Sequence, residues 1–180
     1  RKFLVFIGTN YNLNRVFSID KLFGIGKIKT INHEQIESLV DACVSMSKSK
    51  TGALIVIVRN LELAEQINTG EKLNARISSA LLRSLFFKNS PLHDGAVIIK
   101  GNRIAAAGCI LPLTQKEVDK NLGLRHRAAI GITENTDAIT IIISEERGSI
   151  SFAKNGEIKR RISKEGLTTF LEENIISTAN

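Results

Sequence analysis

Tryptophan is absent from this sequence and tyrosine occurs once. A surface built to hold single-stranded nucleic acid stacks bases on aromatic side chains, so that class of function has little to work with here. Two cysteines, Cys43 and Cys109, are too few for a disulfide scaffold and show no metal-ligand spacing. Both are expected to be buried, reduced thiols. The longest apolar run near the start, residues 3–7, falls far short of the roughly 20 residues that cross a bilayer. Internal repeats and low-complexity stretches are missing as well. The chain opens on Arg1 and not on methionine, which suggests a processed or excised piece of something longer.

What is present is an ordinary globular composition, 43% hydrophobic and 24% charged, over a 180-residue chain long enough for one domain with a real core. The formal charge of +7 points to a polyanionic partner: nucleic acid, anionic lipid or a nucleoside triphosphate. The basic residues are scattered and do not form a stripe, which disfavours nucleic acid.

Residues 8–31 show no sustained periodicity and read as a linker or irregular arm, leaving 32–176 as the domain. Asn32 followed by Gln35 is a capping box, and Ile36, Leu39, Val40, Cys43 and Met46 share one face of the helix it starts. The unbroken apolar run GALIVIV, residues 52–58, predicts a strand covered on both faces, central in its sheet. A second helix is expected over about 75–86, with Ile77, Leu81, Leu82 and Leu85 inward, ending before Pro91. Residues 96–113 read as a hairpin turning at Gly101 and Asn102. A short helix is expected over 122–136 and a buried strand over 138–144. Two further strands meet at Asn155 and Gly156, and Ser163 starts a closing helix carrying Leu167, Phe170 and Leu171. The fold class is α/β, a central mixed sheet flanked by helices.

Three polar clusters interrupt the apolar stretches, each at a strand end or helix start, where ligands of such sheets bind. In PLHDGAVII, residues 91–99, His93 and Asp94 could share a divalent metal, while Gly95 and Ala96 would let a flat ligand approach the backbone. The same residues also make a common turn. Arg125, His126 and Arg127 stand at the first turn of a helix, where cations oppose the macrodipole unless an anion joins them, and where arginine forks suit phosphate. The bland reading is a solvated basic face. Ser144, Glu145 and Glu146 close the strand TIII and could complete a metal site begun by His93 and Asp94, or simply form a charged turn.

Together the segments TGALIVIVR, TGEKLNARISSALLRSLF, SPLHDGAVII, RIAAAGCILPL, LGLRHRAAIGITENTDAITIIISEERGSIS and KNGEIKR resemble, in order and over roughly residues 33–172, the diadenylate cyclase (DAC) domain. The Asp-Gly-Ala and Arg-His-Arg pair carries most of the likeness, which is greatest to the membrane-anchored type. Such domains condense two ATP into cyclic di-AMP and two pyrophosphates with Mn²⁺ or Mg²⁺. The resemblance implies that Asp94 lies by the 3′-hydroxyl and helps organise the metal, with His93 and Glu146 as metal-side neighbours. Arg125, His126 and Arg127 would hold the triphosphate; Gly52, Ala53, Leu54, Gly95, Ala96, Ser144 and Glu145 would contact the nucleotide. It also implies a face-to-face homodimer, a place at the cytoplasmic face of the cell membrane behind a membrane region, and phosphoglucosamine mutase and a membrane regulator as partners, with no nucleic acid. Leu124, Val58 and Arg147 depart from the family's common threonine, glutamate and threonine. The alternative is a module that binds adenine nucleotide without turning it over.

Overall fold

The computed structural model describes residues 30–119 and 122–176. The expected arm over 1–31 therefore lies outside the described residues, apart from its last two.

The first helix, α1 (His33–Lys48), begins where its capping box dictates. Asn32 Oδ1 accepts from Gln35 N–H at 2.9 Å, and Gln35 Oε1 accepts from Asn32 N–H at 3.1 Å. All five of its predicted inward residues are buried. Strand β1 (Ala53–Ile57) is buried at every position, and β5 (Ile139–Ile143) is too. Each buried Ile, Leu or Val side chain among them contributes on the order of 1.5–3 kcal/mol on leaving water.

The seven-stranded sheet has the order β2-β4-β3-β1-β5-β6-β7, so β1 is its central strand, as the apolar run required. Here β2 is Glu71–Arg76, β3 Ala96–Lys100, β4 Arg103–Cys109, β6 Ile150–Lys154 and β7 Glu157–Arg160. β1 runs parallel to β3, with Ile55 opposite Val97, and antiparallel to β5, with Ile55 opposite Ile141. The other neighbours are antiparallel.

Alternate residues of the central strands face two separate cores. Ala53, Ile55, Ile57, Val97, Ile99, Ile141 and Ile143 pack with α1, with α3 (Ser79–Leu85) and with α5 (Lys164–Leu171) on one side. On the other, Leu54, Val56, Ala96, Ile98 and Ile142 pack against Ala128, Ala129 and Ile132 of α4 (Leu124–Glu134). The result is a three-layer, mixed α/β domain.

Both expected hairpins form, the second through Asn155 and Gly156 at φ of 53° and 76°, the left-handed pair that a tight two-residue turn demands. Ser163 caps α5 by accepting from Gly166 N–H at 3.1 Å. The helix expected over 75–86 starts later. Ser78 is its cap, and the residues before it form the edge strand β2, which pairs with β4 and bulges at Asn74, φ 45°. A six-residue helix, α2 (Ala64–Thr69), buries none of its side chains and has no apolar stripe to announce it in the sequence. β4 leaves the sheet at Cys109, short of the expected 113. Cys43 and Cys109 are both free and buried, and burial pushes their thiols up to about 12 and about 11.

Candidate nucleotide site

The sheet register gathers three distant segments at one end. Ala53 at the start of β1 lies opposite Ile143 at the end of β5, and β3 runs parallel to β1, so its start lies at that end too. Ile150 opposite Ile143 and Arg160 opposite Ser151 bring the start of β6 and the end of β7 there as well. The N-terminus of α4 completes the rim. Between them lies a cleft of about 410 Å³, lined by Asp94, Arg125, His126, residues 144–147, Arg160 and Arg161 among others. That size lies within the range typical of small-molecule sites. A smaller cavity, about 170 Å³, sits at the opposite end by Ile57 and Lys100, and none of Asp94, Arg125, His126 or Glu146 lines it.

Asp94 projects from a turn tied by two hydrogen bonds from its neighbour His93. His93 N–H donates to Ser90 O at 3.2 Å, and His93 Nδ1 donates to the same carbonyl at 2.7 Å. A carbonyl can only accept, so the proton sits on Nδ1. Gly95 follows at φ 102°. A Cβ there would stand 2.7 Å from Gly108 C and 2.8 Å from Cys109 O, so the protein's own β4 backbone takes the space that glycine leaves. Asp94 itself is exposed at the cleft, whereas Ala96 is fully buried beneath it.

Helix α4 starts at Gly123 with no side-chain cap and no acidic residue in its first turn. The anion that its arginines need comes from β5's end: Arg125 Nη1 donates to Glu145 Oε2 at 2.8 Å. Gly52 makes room for this pair. A Cβ on Gly52 would lie 2.6 Å from Arg125 Nη1 and 2.9 Å from Glu145 Oε2. His126 is half-buried, and burial first, with the charge of Arg160 second, holds its imidazole below the ordinary histidine range. It stands neutral near pH 7, able to donate one N–H. Ser144 Oγ accepts from Arg147 N–H at 3.3 Å, tying the turn that carries Glu145 and Glu146.

Residues 40–158 match the protein family described as DAC, the DisA bacterial checkpoint controller nucleotide-binding domain, and this span contains Asp94, Arg125, His126 and Glu146. The chain belongs to that family. It is 48% identical over 146 residues to "Cyclic di-AMP synthase CdaA" of Bacillus subtilis (strain 168), covering 81% of this chain and 54% of that protein. It is 48% identical over 152 residues to a "Diadenylate cyclase" of Listeria monocytogenes, 84% of this chain and 56% of that one. The chain thus spans about half the length of these curated relatives. The crystal structure of a double mutant of DacA from Staphylococcus aureus superposes with a TM-score of 0.77 at 45% identity, covering 78% of this chain and 95% of that one. Among the described residues, no helix is long and apolar enough to cross a membrane.

Within this DAC domain the anticipated residues separate into two groups. Asp94, Arg125, His126, Ser144, Glu145 and Glu146 all line the cleft. Gly52 touches its Arg125–Glu145 pair. Ala53, Leu54 and Ala96 are buried in the strands beneath and present no surface to it. Arg127 and His93 do not line it, and Arg127 Nε is buried without a hydrogen-bond partner among the described residues. Helical geometry explains Arg127, since two residues along the helix carry it about 200° around the axis from Arg125. Arg160, the last residue of the KNGEIKR segment, and Arg161 line the cleft, although neither is among the anticipated site residues. The signal that could have found them is a basic doublet at the end of a strand.

The donor chemistry admits a divalent ion of one kind. Among the described residues no three His, Cys, Asp or Glu side chains come together as a metal cage, so His93, Asp94 and Glu146 do not form one set. Two exposed carboxylates on the cleft, Asp94 and Glu146, instead suit a hard cation that takes one or two protein oxygens and completes its shell from substrate phosphates and water.

Proposed function

We propose that this domain is the catalytic part of a diadenylate cyclase, joining two ATP molecules into cyclic di-AMP. The observation that carries the reading is one cleft uniting Asp94 with Arg125 and His126 inside the matched family span. In each of two equivalent steps, the 3′-oxygen of one ATP attacks the α-phosphorus of the other. A P–O bond forms, the α–β bond breaks, and pyrophosphate leaves with the displaced electron pair.

Asp94 accepts the 3′-hydroxyl proton, which a carboxylate can do once the oxygen's acidity rises during attack. Arg125 and His126 hold the triphosphate so that the leaving oxygen lies in line, and their donors stabilise the charge developing on it. The Arg125–Glu145 pair orients the guanidinium toward the cleft before substrate arrives. A Mn²⁺ or Mg²⁺ ion held by Asp94, Glu146 and the phosphates would neutralise charge and lower the hydroxyl's pKa.

Each ATP must serve as nucleophile and as electrophile, and one cleft offers one set of these groups. Two domains therefore meet face to face, cleft to cleft, in an isologous dimer. Action at the cytoplasmic face of a membrane, with phosphoglucosamine mutase and a membrane regulator as partners, belongs to the same proposal and is supported by the sequence likeness alone.

The test is to supply ATP or 3′-deoxy-ATP with Mn²⁺ and follow products by mass spectrometry. Cyclic di-AMP should form from ATP alone, because 3′-deoxy-ATP binds but lacks the nucleophile. Tight binding of ATP with no product would leave a nucleotide-binding module in place of a cyclase.

A further inference from the structure

At the end of β7 the backbone departs from strand geometry in a way that aims charge at the cleft. Successive side chains of a strand point to opposite faces, so two adjacent residues do not ordinarily reach one site. Arg160 ends β7 and Arg161 follows it, yet both line the cleft. Arg161 sits in the left-handed region at φ 58°, a conformation that non-glycine residues avoid, and this kink lets both side chains turn inward. Ile162 N–H then rejoins the sheet by donating to Ile150 O at 3.0 Å. Backbone strain of this kind persists where the surroundings impose it, and it concentrates at ligand clamps.

The charges gathered there are under-used. Arg160 pairs with Asp119 at 3.1 Å, but the two side chains are 46% and 40% exposed, which makes the pair weak and readily exchanged. Arg161 makes no ion pair among the described residues. Arg160 also lies close enough to His126 to depress that imidazole's proton affinity, so its charge reaches the α4 side of the cleft. Among the described residues, four guanidinium groups (Arg125, Arg147, Arg160 and Arg161) face three carboxylates (Asp94, Glu145 and Glu146), and Glu145 is already committed to Arg125. The family match stops at residue 158, just before the doublet.

We propose that Arg160 and Arg161 form a second phosphate-gripping arm of the cleft, facing the arm made by Arg125 and His126, and that they hold the outer phosphates of the bound nucleoside triphosphate. The proposal rests on the nucleotide reading above. Guanidinium forks match phosphate oxygens two at a time. The several negative charges of a triphosphate outcompete the lone carboxylate of Asp119, so Arg160 exchanges one anion for the other when nucleotide enters. Arg160 and Arg161 are positioning residues: they act on the tail of the substrate and leave the proton transfer to Asp94.

The experiment titrates the parent, Arg160→Gln, Arg160→Lys and Arg161→Gly with 3′-deoxy-ATP and with AMP by calorimetry, alongside thermal melts. Arg160→Gln and Arg161→Gly should each weaken 3′-deoxy-ATP binding about tenfold, the scale of one lost charged contact, with AMP affinity unchanged. Arg160→Lys should recover part of the loss. Arg161→Gly should melt at the same or a higher temperature, because glycine relieves the left-handed strain while removing the ligand contact. A purely structural role would move stability and affinity in the same direction. Variants that bind 3′-deoxy-ATP like the parent, or that lose AMP equally, overturn the proposal. A parent that binds 3′-deoxy-ATP but makes no cyclic di-AMP from ATP sinks the cyclase reading and leaves the arm standing.

Discussion

Gly52→Ala separates catalysis from stability at a single methyl group. Gly52 is not in the left-handed region, so alanine can adopt its backbone conformation without strain. The added Cβ would nevertheless lie 2.6 Å from Arg125 Nη1 and 3.0 Å from Arg125 Cζ, so the guanidinium must withdraw by about 1 Å to regain ordinary contact. What yields is the end of a flexible side chain, together with an ion pair whose Glu145 side is 65% exposed. Breaking such a pair costs at most about 1 kcal/mol, a melting shift within about 4 °C for a domain of this size. If Arg125 holds phosphate as proposed, displacing it by an ångström should cost far more in the transition state. A loss of about 100-fold in kcat/KM, roughly 2.7 kcal/mol, is the expected scale. Initial rates of cyclic di-AMP formation, with melting curves on the same samples, measure both. Parental kcat/KM in Gly52→Ala would refute the placement of Arg125, and a melting loss well beyond about 4 °C would show that Gly52 serves the fold.

Two further outcomes follow from the same geometry. Because burial and Arg160 lower the proton affinity of His126, the folded state binds fewer protons there than the unfolded chain, whose histidine titrates near 6.5. Its contribution is intact above about pH 6.5 and is lost as the pH falls from there through the lowered folded value; urea midpoints between about pH 7.5 and 5 should drop less for His126→Gln than for the parent. Gly131 lies in α4 where a Cβ would meet Pro112 O at 2.3 Å, Thr114 N at 2.7 Å and Leu113 C at 2.8 Å, all backbone. Gly131→Ala should therefore cost about 3 kcal/mol of overpacking less about 1 kcal/mol of helix propensity, lowering the melting temperature by roughly 4–8 °C; an unchanged melt would mean that the helix lifts freely from the loop.

The legible parts of the fold are those with strong local chemistry. The capping box sets the start of α1, Asn155 and Gly156 set the last hairpin, and the unbroken apolar runs of β1 and β5 mark strands covered on both faces. β2 escapes sequence reading because it is an edge strand, Glu-Lys-Leu-Asn-Ala-Arg, exposed at Glu71, Lys72, Asn74 and Arg76 and paired on one side alone, so its alternation never reaches a buried apolar row. The helix that follows is expected too early because Ala75 and Ile77 fit a helical stripe, whereas the capping Ser78 marks its true start.

The site divides along the same line. Asp94, Arg125 and Glu146 are visible as polar breaks in apolar text. Arg160 and Arg161 are not, since their approach to Asp94 depends on the register of β5, β6 and β7 and on one left-handed residue. The glycines differ from expectation for a related reason. The space beside Gly95 is taken by β4 and the space beside Gly52 by an ion pair, neighbours that only the tertiary structure supplies.

The most direct test of the central claim is product formation from ATP and Mn²⁺ or Mg²⁺ by the parent and by Asp94→Asn, read by mass spectrometry. The parent should yield cyclic di-AMP and pyrophosphate in a ratio of one to two, and chelator should abolish both. Asp94→Asn should lose at least about 100-fold at an unchanged melting temperature, the scale of a missing general base. An Asp94→Asn variant that turns over like the parent would rule out Asp94 as the base.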